Sequence, residues 1–154
     1  MGSEMCIRDS QMVGDGLMAI FGAPAPREDH RQAAVVAARQ MVELIRLFNE
    51  EQAARDKVQI QIGVGVASGR VVAGYTGTHN RATYTCVGDT VNVAARLEAH
   101  TKELGRPILI DENTRQGIVD GIPVEAQGEL LMKGKTEPTK VYAVLVDAVV
   151  AETA

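Results

Sequence analysis

The sequence predicts an α+β fold, a ferredoxin-like sandwich in which helices cover one face of a mainly antiparallel sheet. Two apolar runs flank the triplet Gly14-Asp15-Gly16, a break that is typical of a tight β-hairpin. A long helical pattern follows, and after it residues 58–66 alternate as a β-strand does. Hairpins that alternate with helices and end in C-terminal strands are the pattern of such a sandwich.

The first hairpin is predicted over residues 11–22, with Asp15 at its tip. On local grounds this aspartate is compatible with a plain turn residue. Two prolines then interrupt the chain, and Asp29 is placed to cap a helix that continues to about Ala54. The apolar residues of this helix recur at intervals of three and four, which predicts one buried stripe. They are Ala34, Ala37, Ala38, Met41, Leu44, Ile45 and Phe48.

A second hairpin is predicted from residues 58–66 and a strand at residues 70–75, joined by a tight turn. Gly63 and Gly65 leave one face of its first strand bare. Either a ligand or a covering helix can therefore approach that face closely. Residues 76–82 are predicted to form a polar loop.

Residues 83–97, TYTCVGDTVNVAARL, predict a strand, a turn and a helix that Asp89 or Thr90 caps. Asn92 and Arg96 are four residues apart, so they share one face of this helix near its N-terminus. An amide and a guanidinium beside a positive helix end suit an anionic ligand. A solvated surface, with Arg96 paired to a nearby glutamate, explains the same residues. Apolar surface on this helix is expected from Val91, Ala94, Ala95 and Leu97.

The C-terminal part predicts short strands and a lysine-bearing loop. The helix is expected to end near Gly105 and to be followed by a strand at 107–110, helical turns at 111–116, strands around Val124 and Leu130, and a last strand at 140–146. Lys133 and Lys135 flank a glycine on the loop before the last strand. By composition they are compatible with solvated side chains. Pro138 suggests that the strand after it lies at a sheet edge.

Composition narrows the class of protein. The chain has 154 residues, 45% of them hydrophobic and 23% charged, which suits one domain with a single core. A net charge of −4 provides no basic field for nucleic acid. No run reaches the roughly twenty apolar residues that span a membrane, and no signal peptide is recognisable, so a cytoplasmic location is expected. Residues 1–10 are interpreted as a non-native, tag-like leader and residues 147–154 as a tail.

Several separated motifs, in one order, resemble the class III nucleotidyl cyclases, the adenylate and guanylate cyclase catalytic domain. They are VGDGLMAIFGAP, GVASGRVVAG, VGDTVNVAARLE and the KGK-like segment MKGKTEPTKVY. The resemblance extends over about residues 12–146, and residues 11–146 are assigned to a partial cyclase domain. It implies conversion of ATP to 3′,5′-cyclic AMP and pyrophosphate in a homodimer, with two Mg²⁺ or Mn²⁺ ions per site.

The resemblance also implies roles for individual residues. Asn92 and Arg96 match the pair that stabilises the transition state, with the asparagine orienting the ribose. Lys133 matches a lysine that binds the triphosphate. Asp15 matches one of two aspartates that hold the metal ions. In the family these aspartates come from one protomer, and the residues that match Asn92, Arg96 and Lys133 come from the other.

Two further positions match residues that read the base. These are Gln11 and Thr85, and Thr85 fits an adenine reader. A guanylate cyclase would carry glutamate and cysteine there. Gln11 adjoins the predicted leader, so the preference for adenine rests mainly on Thr85.

One departure from the family limits the expected activity. The other metal-binding aspartate of the family lies on a DIRGFT-like opening strand that precedes a helix, and Asp9 cannot be matched to it. A domain without its first strand and helix is therefore expected, with exposed sheet edges and little or no activity alone. The alternatives are a guanylate cyclase and a non-catalytic, cyclase-like nucleotide-binding or regulatory module. Retention of Asn92, Arg96, Lys133 and Asp15 favours the enzyme.

Overall fold

The computed structural model of the chain describes residues 10–119 and 121–146. The leader other than Ser10, and the tail, lie outside the described residues. The described residues form eight strands and three helices in a mixed order. They are β1 (Ser10–Val13), β2 (Gly16–Ala19), α1 (His30–Ala54), β3 (Val64–Val66), β4 (Val72–Thr78), β5 (Arg81–Val87), α2 (Asp89–Leu104), β6 (Ile108–Asp111), α3 (Glu112–Gln116), β7 (Val124–Leu130) and β8 (Thr139–Val144).

A four-stranded sheet in the order β3-β6-β8-β7 forms the centre of the fold. β8 pairs antiparallel with both β6 and β7, while β3 pairs parallel with β6. The α+β class with a mainly antiparallel sheet is confirmed. The expectation that Pro138 introduces an edge strand was wrong, because β8 lies inside the sheet. Pro138 directly precedes the strand, so its missing N–H is not needed by the ladder.

The core lies on both faces of this sheet. On one face Val93 and Leu97 of α2 pack with Leu109 of β6. On the other face Val35 and Ala38 of α1 pack with Ile108 and Ile110, the residues of β6 on either side of Leu109. Since side chains of a strand alternate between faces, α1 and α2 cover opposite faces of the sheet. The helices therefore lie on both faces and not on one face as predicted.

Helix α2 lies directly on the backbone of β3. A methyl group added at Gly65 would overlap the carbonyl oxygen of Ala94 and the amide nitrogen of Glu98. A methyl group added at Gly63 would overlap the hydroxyl of Thr101. Of the two expectations for this bare strand face, the covering helix is the one that the structure shows.

The second hairpin differs from its prediction. β4 pairs antiparallel with β5, from Val72 opposite Val87 to Thr78 opposite Arg81. Residues 76–82 therefore form the ends of two strands and their turn, not a polar loop. β-branched and small residues in this polar segment satisfy the ladder once a partner strand is available, which local polarity does not reveal.

Only Val64–Val66 of the predicted strand 58–66 pairs with another strand. Its first part has no strand partner among the described residues, and Val58 is 84% exposed. The side chain of Asn49 replaces such a partner at Ile60, whose N–H donates to Oδ1 (2.9 Å) and whose carbonyl accepts from Nδ2 (2.7 Å). Exposed apolar side chains occur both in this segment and on α1. They include Ile60, Ile62, Leu44, Leu47 and Phe48.

The helix caps also differ in part from their predictions. Asp29 occupies the N-cap position of α1, but its carboxylate pairs with Arg27 and caps no N–H. The N-cap of α2 is Gly88, so Asp89 stands in the first turn. There its negative charge favours the positive end of the helix. Thr90, the other predicted cap, donates its hydroxyl to the carbonyl of Arg70 (3.1 Å).

The contact of α2 with β3 gives a stability prediction. Gly65→Ala forces two backbones apart, so we expect the free energy of unfolding to fall by about 2 kcal/mol or more. Gly74→Ala is the matched control, because a methyl group there meets no atom within 4 Å. We expect this control to stay within about 0.5 kcal/mol of the parent chain in urea unfolding. Equal stability of the two variants would contradict the close contact.

Candidate functional site

A groove of about 330 Å³ lies along the first turns of α2, beside the loop that joins β7 to β8. Polar side chains from both elements face it, and apolar residues form its floor. The lining residues are Asp89, Asn92, Val93, Ala95, Arg96, Ala99, Met132 and Lys133. We call this the α2 groove.

The rotation of α2 exposes Asn92 and Arg96 to the α2 groove. Val93 and Leu97, the residues that follow each of them, are buried against the sheet. Two residues four apart in a helix share a face, so burial of one such pair exposes the pair beside it. The predicted apolar face was partly wrong, since Ala95 is exposed and Val93 is buried.

Lys133 reaches the α2 groove from a tight turn between β7 and β8. The amide of Lys135 donates to the carbonyl of Met132 (3.0 Å), which closes the turn around Lys133 and Gly134. Gly134 has φ = 88°, a conformation that other residues adopt only with strain. Met132 is buried in the core with residues of α2. The turn therefore holds Lys133 at a defined place beside the helix.

Asp89 and Lys135 form an ion pair at the edge of the α2 groove. Lys135 Nζ lies 2.8 Å from Asp89 Oδ2. This pair joins the turn to the first residue of α2. Local sequence spacing could not predict this ion pair, because Asp89 and Lys135 are distant in sequence.

The other three predicted site residues lie outside the α2 groove. Asp15 is exposed in the turn between β1 and β2. Thr85 is half-buried on β5, opposite Gly74 of β4. Gln11 pairs with Met18 through the backbone of β1, and its side chain lies outside the described residues. The structure thus brings together Asn92, Arg96 and Lys133 and leaves the predicted metal and base positions elsewhere on this chain.

The residues around Thr85 are held by contact between the two hairpins. Cys86 Sγ lies 3.9 Å from Met18 Sδ of β2. Burial raises the pKa of the Cys86 thiol, so it stays protonated and behaves as an apolar packing residue. This contact connects the hairpin that carries Asp15 to the strand that carries Thr85.

The charges of the α2 groove favour an anion. Arg96 and Lys133 supply two positive charges, while the carboxylate of Asp89 is paired with Lys135. Within residues 10–119 and 121–146 no three His, Cys, Asp or Glu side chains cluster as metal ligands. In the same part of the chain, no helix is long and apolar enough to cross a bilayer.

A family model for the adenylate and guanylate cyclase catalytic domain matches residues 4–145. The chain belongs to this family. The match begins inside the segment interpreted as a leader, and the leader and tail remain predictions because residues 1–9 and 147–154 lie outside the described part.

Two curated relatives contain this cyclase domain as a small part of their length. The terminal-differentiation-specific adenylate cyclase of Dictyostelium discoideum is 30% identical over 88% of this chain and 6% of its own. Adenylate cyclase 1 of Rhizobium meliloti is 30% identical over 88% of this chain and 20% of its own. The chain therefore spans a fifth or less of either relative.

Solved cyclase structures share the fold. A guanylyl cyclase has a TM-score of 0.77 and 28% identity, over 87% of this chain and 67% of its own. The adenylyl cyclase CyaB of P. aeruginosa has a TM-score of 0.77 and 29% identity, over 88% of this chain and 70% of its own. The non-canonical dimeric guanylyl cyclase domain of a fusion protein from the fungus Blastocladiella emersonii has a TM-score of 0.71 and 27% identity, over 88% of this chain and 69% of its own. The ferredoxin-like class is confirmed, and neighbours of both base specificities occur.

The α2 groove predicts affinity for inorganic tripolyphosphate at low ionic strength. Arg96→Ala and Lys133→Ala each remove a charged donor, so we expect calorimetry to show a loss of about tenfold in affinity for each. Arg55→Ala is the control, because it removes the same charge from the C-terminus of α1, where Arg55 pairs with Glu51 and does not line the α2 groove. A similar loss in the control would indicate non-specific attraction.

Proposed function

We propose that this chain carries part of the active site of an adenylate cyclase that converts ATP to 3′,5′-cyclic AMP and pyrophosphate in intracellular signalling in the cytoplasm. The observation that carries the proposal is the convergence of Asn92, Arg96 and Lys133 on one groove. An amide, a guanidinium and an ammonium that line one groove match the needs of a ribose and a triphosphate.

The reaction is an in-line displacement. The ribose 3′-hydroxyl oxygen bonds to the α-phosphorus and its proton passes to solvent. The bond from the α-phosphorus to the oxygen that bridges it to the β-phosphorus breaks, and this oxygen leaves with pyrophosphate. Arg96 would donate to the α-phosphoryl oxygens as their charge grows. Asn92 would hold the ribose in line, and Lys133 would bind the departing pyrophosphate.

Asp15 would provide a carboxylate ligand for Mg²⁺ or Mn²⁺, two ions per site being expected. An exposed carboxylate on a tight turn suits Mg²⁺, which keeps most of its ligands as water and phosphate oxygens. The bound metals would activate the hydroxyl and neutralise phosphate charge. Asp15 is the one carboxylate assigned to the two ions, and one carboxylate would bind two ions weakly, so we expect weak activity from this chain alone.

A homodimer would complete the site. Asp15 and Thr85 do not line the α2 groove of their own chain. A second copy could bring these positions to the groove, as the family resemblance implies. The fungal guanylyl cyclase domain, described as a non-canonical dimer, supports self-association of such domains but not this particular arrangement.

A second candidate is a non-catalytic nucleotide-binding module. The α2 groove fits this candidate too, because Arg96 and Lys133 would bind phosphates whether or not metal ions are held. Such a module would bind nucleotide at the α2 groove without forming cyclic product. Product formation therefore distinguishes the two candidates.

The base preference can be tested in a chain extended at its N-terminus by a strand of DIRGFT type that provides a second carboxylate. We expect this protein to cyclise Mn²⁺-ATP faster than Mn²⁺-GTP, because Thr85 offers a hydroxyl suited to adenine. The products are quantified by chromatography. A preference for GTP would remove the adenine assignment, and binding without product would favour the non-catalytic module.

Mixing two inactive variants tests the shared site. Asp15→Asn damages the metal side and Arg96→Ala the phosphate side, both in the extended chain. If the site is built from two subunits, an equal mixture has half of its dimers mixed, each with one intact site. We therefore expect about a quarter of the parent activity. Activity no greater than that of the separate variants would show that each subunit holds a complete site of its own.

A further inference from the structure

The turn that presents Lys133 is anchored at both ends. At one end Met132 is 3% exposed and packs in the same cluster as Val93 and Leu97 of α2. At the other end Lys135 is paired with Asp89 across 2.8 Å. Lys133 lies between these two anchors and lines the α2 groove.

We propose that Lys135 is a positioning residue for the polyphosphate of the nucleotide. Its ion pair with Asp89 holds the turn against the first residue of α2, and so keeps Lys133 opposite Arg96. The inference rests on the proposed function, because it concerns how the α2 groove holds the phosphates of that substrate.

The same ion pair also offsets a negative charge in the wall of the α2 groove. Asp89 lines the α2 groove, where a bare carboxylate would repel phosphate. With Lys135 bound, the charge of Asp89 is offset, and the charges of Arg96 and Lys133 remain for the ligand. Loss of Lys135 therefore loosens the turn and also leaves a negative charge in the groove wall.

The solvent exposure of Lys135 and Asp89 limits how much their ion pair can change the affinity for phosphate. The side chains of Lys135 and Asp89 are 35% and 68% exposed, so solvent weakens the pair. Exposed pairs contribute modestly to stability, which corresponds to a change of about fivefold in affinity at most. Added salt reduces the effect further.

Binding of tripolyphosphate to the full chain, measured by calorimetry at low salt, tests the proposal. We expect Lys135→Met to weaken binding about fivefold and Lys135→Arg to stay within about twofold of the parent, because arginine keeps the ion pair. Lys102→Met is the matched control, since it removes the same charge from the last turn of α2. Equal losses in Lys102→Met and Lys135→Met, or none in Lys135→Met, would overturn the proposal.

Coupling between the two partners is the second measurement. In an Asp89→Asn background the ion pair is already broken and no carboxylate remains in the groove wall. Lys135→Met should then change the affinity by less than about twofold. A full fivefold loss in that background would mean that Lys135 acts without Asp89, contrary to the proposal.

A third measurement needs no ligand. The amide of residue 135 donates to the carbonyl of Met132, so its hydrogen exchange reports opening of the turn. We expect exchange to accelerate about fivefold at most in Lys135→Met and Asp89→Asn, but not in Lys102→Met. Unchanged exchange would overturn the positioning role. Faster exchange in a chain that binds no tripolyphosphate would refute the proposed function and leave the anchoring of the turn intact.

Discussion

The contact between α2 and the backbone of β3 is the constraint on which the α2 groove depends. Gly63 and Gly65 allow the helix to approach so closely that no side chain fits between them. At this distance Val93 and Leu97 must point into the sheet. Asn92 and Arg96 are then directed outward together, so two small residues on a strand determine which polar side chains meet a ligand.

Much of the fold could be predicted from local patterns, and the failures have a common cause. The hairpin at Asp15, the long helix α1 and the helix that carries Asn92 and Arg96 all follow from spacing and turn residues. The strands at 70–75 and 83–87 were predicted, but their pairing with each other through residues 76–82 was not. The segment 58–63, predicted to pair, has no strand partner among the described residues. Both errors concern the choice of partner strand, which for β4 is the next strand along the chain. The polarity of a segment carries no information about that choice.

The candidate site shows the same division. Asn92 and Arg96 could be placed together because four residues make one helical turn. Lys133 was indicated only by family resemblance, since a lysine on a glycine-containing loop has no diagnostic spacing. Asp89 was considered as a helix cap and Lys135 as a solvated side chain. Their pairing arises from the packing of the β7–β8 loop on α2, which only the folded chain reveals.

The double anchoring of the β7–β8 turn has a consequence for sequence variation in the family. Between Met132 and Lys135 the backbone must cover a set distance with two residues, so insertions or deletions there would displace one anchor. Residues 136–138 follow the second anchor and are exposed, with no such requirement. Changes in loop length among related chains should therefore accumulate after Lys135, and the spacing of the two lysines should be preserved even where the rest of the loop diverges.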